Sequence, residues 1–134
     1  MTIVKSGTTP LGSEHDIVLA RQLVRKLSLE LTFSIVDQTK MVTAASELAR
    51  NTLIHGGGGQ MRWEVLSEGI RKGLRLHFED NGPGIPNISL AMTDGWTSGG
   101  GLGMGLSGAK RLTNEFTIAS EPGKGTQISI TRWK

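Results

Sequence analysis

An α+β fold of two layers, with helices covering one face of a mixed, mostly antiparallel sheet, is predicted by the order in which periodicities follow one another along the chain. Two stretches of helix-spaced apolar residues, each opened by a serine and closed off by a loop or glycine run, fill the N-terminal part. Four alternating segments separated by glycine-bearing turns fill most of the rest. With 134 residues, no internal repeat and no shift in composition, the chain is expected to form one domain over 1–134, large enough to bury a core without staples.

The elements follow in order. Ile3 and Val4 predict a short edge strand before a turn-like GTTPLG. Ser13 to Asp16 reads as a capping box ahead of Ile17, Ala20, Val24, Leu27 and Leu31, which recur at helical spacing and predict a helix over about 14–30. Ser34 to Asp37 repeats that signature and opens a second helix with apolar positions Val42, Ala45, Leu48, Ala49 and Thr52, stopped by the GGGG after His55. QMRWEVLSEG and KGLRLHFED alternate about a glycine-bearing turn, as a β-hairpin with one buried face does. DNGPGIP ends that pattern. A short helix near Ile88 to Met92 comes next, then the glycine-rich TDGWTSGGGLGMGL, then a helix from Leu106 to Asn114. EFTIASE and TQISITRW close the chain as two more strands joined by PGKG.

The second helix carries an anomaly. Glu47, Asn51 and His55 are spaced four apart, so they line one face of an otherwise apolar helix as a ladder of polar tips. Such a ladder predicts something to hold.

Composition narrows what that is. There is no cysteine, which excludes disulfides and thiolate metal sites, and three scattered histidines argue poorly for zinc. Net charge is +3 with acids and bases interspersed, and the three Phe and three Trp do not alternate with basic residues, so no nucleic-acid surface is expected. The start lacks a signal-peptide core, and no apolar run approaches the roughly 20 residues that span a bilayer, so a cytoplasmic protein with no membrane contact is predicted.

The glycine clusters want a phosphate. Consecutive glycines let backbone N–H groups approach an anion closely, and a helix opening near Gly103 would add its positive end. Gly103, Gly105 and Gly108 formally fit the dinucleotide fingerprint, but that motif must follow a buried strand and open a longer βαβ array, whereas TDGWTSGG precedes it and only 26 residues follow Gly108. P-loop and protein-kinase signatures are absent from the sequence.

Taken together, ELARN at 47–51, DNGPGIP at 80–86, GGGLGMGL at 99–106 and GKGT at 123–126 resemble the N, G1, G2 and G3 boxes of the Bergerat ATP-binding fold, the GHKL superfamily of gyrase, Hsp90, histidine kinases and anti-sigma-factor serine kinases. Within it the sequence is most similar to the RsbT-type switch serine/threonine kinases of the bacterial stressosome, with DIVLARQLVRKL and VDQTKMVTAASELARN extending the likeness over nearly the whole chain. The resemblance implies ATP and Mg²⁺ as cofactors. It also implies STAS-domain antagonist or scaffold proteins as substrates, a PP2C-type phosphatase as a further partner, and partner switching in a general stress or sigma-factor pathway.

What the resemblance implies for individual residues has a physical side. Asn51 matches the family's metal residue, a neutral oxygen ligand for a Mg²⁺ that takes its other ligands from water and phosphate. Glu47 matches the catalytic base, placed to deprotonate an incoming hydroxyl, a role typically giving about 10² to 10⁴-fold in rate. His55 continues the line toward phosphate or satisfies the local backbone; Arg50 belongs to the motif or is a solvated helix residue. Asp80 matches the acceptor of the adenine amino group, where guanine's carbonyl would leave two acceptors facing at a cost of roughly 1 to 3 kcal/mol. Thr126 matches the hydroxyl that supports the adenine pocket. The nucleotide-binding set further takes in Gly82, Gly84 and Ile85 of the second box. From the ATP lid it takes in Gly99, Gly100, Gly101, Leu102, Gly103, Met104, Gly105 and Leu106. Trp63, Trp96 and Trp133 read as packing or interface residues.

Two other readings compete. An ATP-binding anti-sigma or docking module would keep the pocket without significant phosphotransfer. A histidine-kinase catalytic domain would ordinarily come with a dimerisation helix pair, and gyrase-type or Hsp90-type ATPases with transducing domains.

Overall fold

A computed structural model describes residues 1–85, 92 and 105–134. The predicted short helix near Ile88 to Met92, apart from Met92 itself, and the lid residues 96–104 lie outside the described residues.

The two N-terminal helices form where their caps place them. Ser13 caps α1, Glu14–Glu30, its hydroxyl accepting from the Asp16 N–H at 3.2 Å. Ser34 caps α2, Ile35–Ile54, in the same way through the Asp37 N–H at 3.1 Å. Each bond satisfies one donor that the first helical turn leaves open, and Asp16 and Asp37 also place negative charge at the positive helix end. α1 buries Ile17, Ala20, Val24 and Leu27; α2 buries Met41, Val42, Ala45, Leu48 and Ala49.

Among the described residues five strands form one sheet: β1 Thr2–Leu11, β2 Gly59–Glu68, β3 Arg71–Asp80, β4 Glu115–Ser120 and β5 Thr126–Trp133, in the order β1-β2-β3-β5-β4. Every pairing among the described residues is antiparallel. The helical pair explains the first of these. α1 and α2 run out and back, so β2 starts at Gly59 opposite Leu11, where β1 ended. Tight turns impose the same sense on β2–β3 and β4–β5. The helices cover one face, where Leu74, Leu76, Phe78, Met61, Ile128 and Ile130 join the helix stripes in a single core. Burial of this kind makes truncating a residue such as Leu48 cost about 2–5 kcal/mol. The other face is polar, with His77 bridging Glu64 at 2.8 Å and Ser129, and Arg62 reaching Glu79 at 2.8 Å.

The structure corrects two boundaries. The edge strand expected only at Ile3 and Val4 extends through GTTPL to Leu11. An edge strand has a free side that tolerates Pro10, and Gly7 leaves room for the Trp63 indole, which an added Cβ would meet at 2.5 Å. The helix expected over 106–114 is a shorter α3, Gly105–Arg111. Asn114 is recruited by the sheet instead: its N–H donates to the Thr131 carbonyl at 2.9 Å and its Oδ1 accepts from the Trp133 N–H at 2.7 Å.

Candidate nucleotide-binding site

The site is built at one end of the sheet. Gly59, Asp80, Thr126 and Ser120 are direct cross-strand partners in β2, β3, β5 and β4, so one row places Asp80, Thr126 and Ser120 side by side. The row lies two residues along the strands from the pair Phe78 and Ile128, and therefore faces the helices as they do.

The C-terminal end of α2 arrives against this row. His55 is its C-cap, with the backbone N–H bonded to the Asn51 carbonyl at 2.9 Å, and Gly56 follows. A Cβ on Gly56 would lie 2.3 Å from Asp80 Cγ and 2.4 Å from its Cβ. Gly82 approaches equally closely, since a Cβ there would meet Gly56 Cα at 2.7 Å. Asp80 Oδ1 accepts from the Gly82 N–H at 2.9 Å, which closes an Asx-type turn and fixes the carboxylate. Glu47 and Asn51 are half-buried along the same helix. One turn thus separates Asn51 from the glycine packed on Asp80.

The DNGPGI segment is then clamped from the other side by the β4–β5 turn. Gly84 and Gly125 take φ +79° and +84°, conformations that favour glycine, and in each a Cβ would fall 2.2 Å from a backbone oxygen, of Glu121 and Asp80 respectively. The Gly123 N–H donates to the Pro83 carbonyl at 2.7 Å, and the Ile85 N–H donates to Ser120 Oγ at 2.7 Å. A cavity of about 650 Å³ opens at this end, lined by Asp80, Asn81, Ser120, Glu121, Lys124 and Thr126 together with Gln60, Glu79, Ala119 and Gln127 of the opposite face; among the described residues, none of α2 lines it.

The expected residues therefore separate into groups. The structure brings together the end of α2, Asp80, Gly82, Gly84, Ile85 and Thr126. Gly99, Gly100, Gly101, Leu102, Gly103 and Met104 lie outside the described residues, and Gly105 is the first residue of α3. Two further expected residues have other neighbours. Leu106 is 2% exposed and belongs to the core, because α3 seats its first apolar side chain against the helical layer. Arg50 reaches Glu14 of α1, 3.6 Å away, rather than the ladder of Glu47 and Asn51. Gly56 and Ser120 join this group without a signal of their own in the sequence: a glycine run reads as a helix stop, and the β4–β5 register is what pairs Ser120 with Thr126.

Residues 36–134 match the family described as histidine kinase-, DNA gyrase B- and HSP90-like ATPase. The serine/threonine-protein kinase RsbT of Bacillus subtilis is 49% identical over 121 residues, 90% of this chain and 91% of the relative. The chain belongs to the RsbT-like kinases of this ATPase family. An anti-sigma F factor of Clostridium kluyveri is 34% identical over 126 residues, 91% of this chain and 89% of the relative. The fold also matches the crystal structure of the RsbU and RsbW domains of a Mycobacterium tuberculosis protein, with TM-score 0.63 and 18% identity over 96% of this chain and 32% of that one. The α+β architecture and the use of ATP are those of the family. No described helix is long and apolar enough to cross a membrane.

Proposed function

We propose that the protein is a Mg-ATP-dependent serine/threonine kinase that phosphorylates a STAS-domain antagonist or scaffold and, once released, activates a PP2C-type phosphatase, as a cytoplasmic partner switch in a stress or sigma-factor pathway. The observation that carries this reading is the packing of Gly56, one turn beyond Asn51, on the carboxylate of Asp80. It joins the ladder on α2 to the row on the sheet at one end of the molecule. The RsbT relative supports the reaction class.

The residues present suit the nucleotide. Close backbone approach at Gly56, Gly82, Gly84 and Gly125 locks the end of α2, the DNGPGI segment and the β4–β5 turn around Asp80, with no room for a Cβ at any of the four. Asp80 keeps a carboxylate oxygen beyond its bond to Gly82, available to an amino group of a base. Asn51 offers a neutral amide oxygen for a divalent cation. Bound Mg-ATP supplies the γ-phosphoryl group. Glu47, half-buried one turn before Asn51, receives the proton of the substrate hydroxyl and thereby sharpens it as a nucleophile. His55 stands at the helix end, where phosphate contact and backbone capping coexist. Arg50 serves the α1–α2 contact.

The test is labelled ATP with a STAS-domain protein encoded beside it. Label transfer that collapses about 10² to 10⁴-fold in Glu47→Gln, with ATP still bound, is the expected result. Unchanged transfer removes Glu47 from the role. The anti-sigma F relative favours a second reading, an ATP-dependent docking module for a sigma factor. Tight binding to a partner with no label transfer in the parent protein would establish that instead.

A further inference from the structure

We propose that Ser120 is a positioning residue for nucleotide selection, acting by fixing the proton of the Thr126 hydroxyl; this rests on the nucleotide reading of the site.

Among the described residues Ser120 Oγ has three partners. It accepts from the Ile85 N–H at 2.7 Å, lies 3.1 Å from the Gly125 carbonyl oxygen and 2.8 Å from Thr126 Oγ1. A serine hydroxyl has one proton and two lone pairs. The Ile85 N–H can only donate and the Gly125 carbonyl can only accept. All three contacts are satisfied in one arrangement: Ser120 donates to Gly125 and accepts from both Ile85 and Thr126. The reverse sense, Ser120 donating to Thr126, leaves the contact with the Gly125 oxygen without a proton. The half-buried setting favours the satisfied pattern, because an unmet polar group away from water costs about 1–3 kcal/mol.

The consequence falls on Thr126. With its proton committed to Ser120, its oxygen turns only lone pairs toward the pocket, next to the Asp80 carboxylate, its direct neighbour in the β3–β5 register. Two adjacent acceptors then face the ligand. A purine bearing a 6-amino group satisfies them, and a 6-oxo purine meets them with a further acceptor at that position. Were the Thr126 proton free, the hydroxyl could turn and donate to that oxo group. Ser120 never touches the base in this scheme. It sets the polarity of a residue that does, and by holding Ile85 it keeps the DNGPGI loop on the same footing.

The experiment measures Kd for ATP and for ITP, which differ at the 6-position and in the N1 proton that accompanies the oxo group, without the 2-amino group of GTP. In the parent protein ATP binds more tightly. In Ser120→Ala the ITP/ATP ratio of Kd values falls about tenfold, the scale of one hydrogen bond gained or lost. Ser120→Thr restores the ratio. In a Thr126→Val background Ser120→Ala changes the ratio no further, because the group it acts through is gone. A role confined to loop structure would weaken both nucleotides equally and leave the ratio alone, and that result overturns the proposal. Should Ser120→Ala not fold, Ser120→Cys, a much weaker donor and acceptor of the same shape, is read by the same ratio. If the parent protein binds neither nucleotide, the nucleotide reading itself falls, and this inference with it. If the parent binds both equally, only the selection proposed here is overturned.

Discussion

Gly56→Ala isolates the contact on which the site depends. The added methyl would sit 2.3 Å from Asp80 Cγ, 2.4 Å from Cβ and 2.6 Å from Oδ2. Carbon atoms rest at about 3.5–4.0 Å, so the groups must part by more than an ångström. Rotating the carboxylate does not relieve the clash with Asp80 Cβ, which is the root of the side chain, so either the α2 end or the end of β3 must shift. Asp80 then loses its alignment with the Gly82 N–H, now 2.9 Å from Oδ1, and with any base amino group. A hydrogen bond to a charged group is worth about 1.5–3 kcal/mol, which corresponds to roughly 10- to 150-fold in Kd for ATP. Gly57→Ala is the control. Gly57 has φ +73° and no described residue within 4 Å of an added Cβ, so its substitution costs about 1–2 kcal/mol of backbone strain in folded stability while leaving Asp80 untouched. Calorimetric titration with ATP, beside thermal unfolding without nucleotide, separates the two. Gly56→Ala binding ATP as tightly as the parent would refute the reasoning, as would an equal loss of affinity in Gly57→Ala.

Other outcomes follow from the same packing. Adding Mg-ATP at a hundredfold excess over Kd should stabilise the protein by about 2.7 kcal/mol, read as a rise in Tm that Asp80→Asn abolishes or shrinks. Arg132 bonds Asp37 at 2.6 Å and holds its carboxyl below the usual aspartate range, chiefly through that hydrogen bond. A depressed folded-state pKa gives stability that is present above the unfolded-state value and is lost as pH falls through the folded-state one. Asp37→Asn should therefore lower stability near neutral pH by about 1–3 kcal/mol, and the gap from the parent should close on acidification, as urea melts from pH 7 to the acid limit will show. Gly7→Ala should cost about 1–3 kcal/mol by crowding the Trp63 ring, with a change in tryptophan emission; unchanged emission and stability would show that the ring yields freely.

What was legible in the sequence had short-range causes. Ser13 and Ser34 cap helices through N–H groups three residues on, so both helix starts could be read from a few letters. The β2–β3 hairpin was legible because alternation fixes which face each residue takes, and a two-residue turn fixes the register. The edge strand was cut short because GTTPL carries no alternation; its extended form is imposed by pairing with β2, and above all by the fit of Gly7 under Trp63. The direction of Arg50 depends on Glu14, a residue of another helix, and no spacing within ELARN contains that information.

The site itself was legible as a set of boxes and not as a structure. Each box is local, but what makes Asp80 a rigid acceptor is Gly56 behind it, Gly125 above its carbonyl and Gly82 closing its turn, and these come from three separate segments. A glycine selected for close approach looks, in one dimension, the same as a glycine that ends a helix. The distinction appears only when a methyl group is imagined at each position and the atoms it would strike are named. By that measure the run at 56–59 is two kinds of residue. Gly56 and Gly59 are pressed against Asp80 and the Glu79 carbonyl, whereas Gly57 touches no described residue and takes a positive backbone angle that favours glycine. The polar ladder on α2 therefore reaches the sheet through a contact that tolerates no side chain, and the tightness of that contact holds the two halves of the site in register.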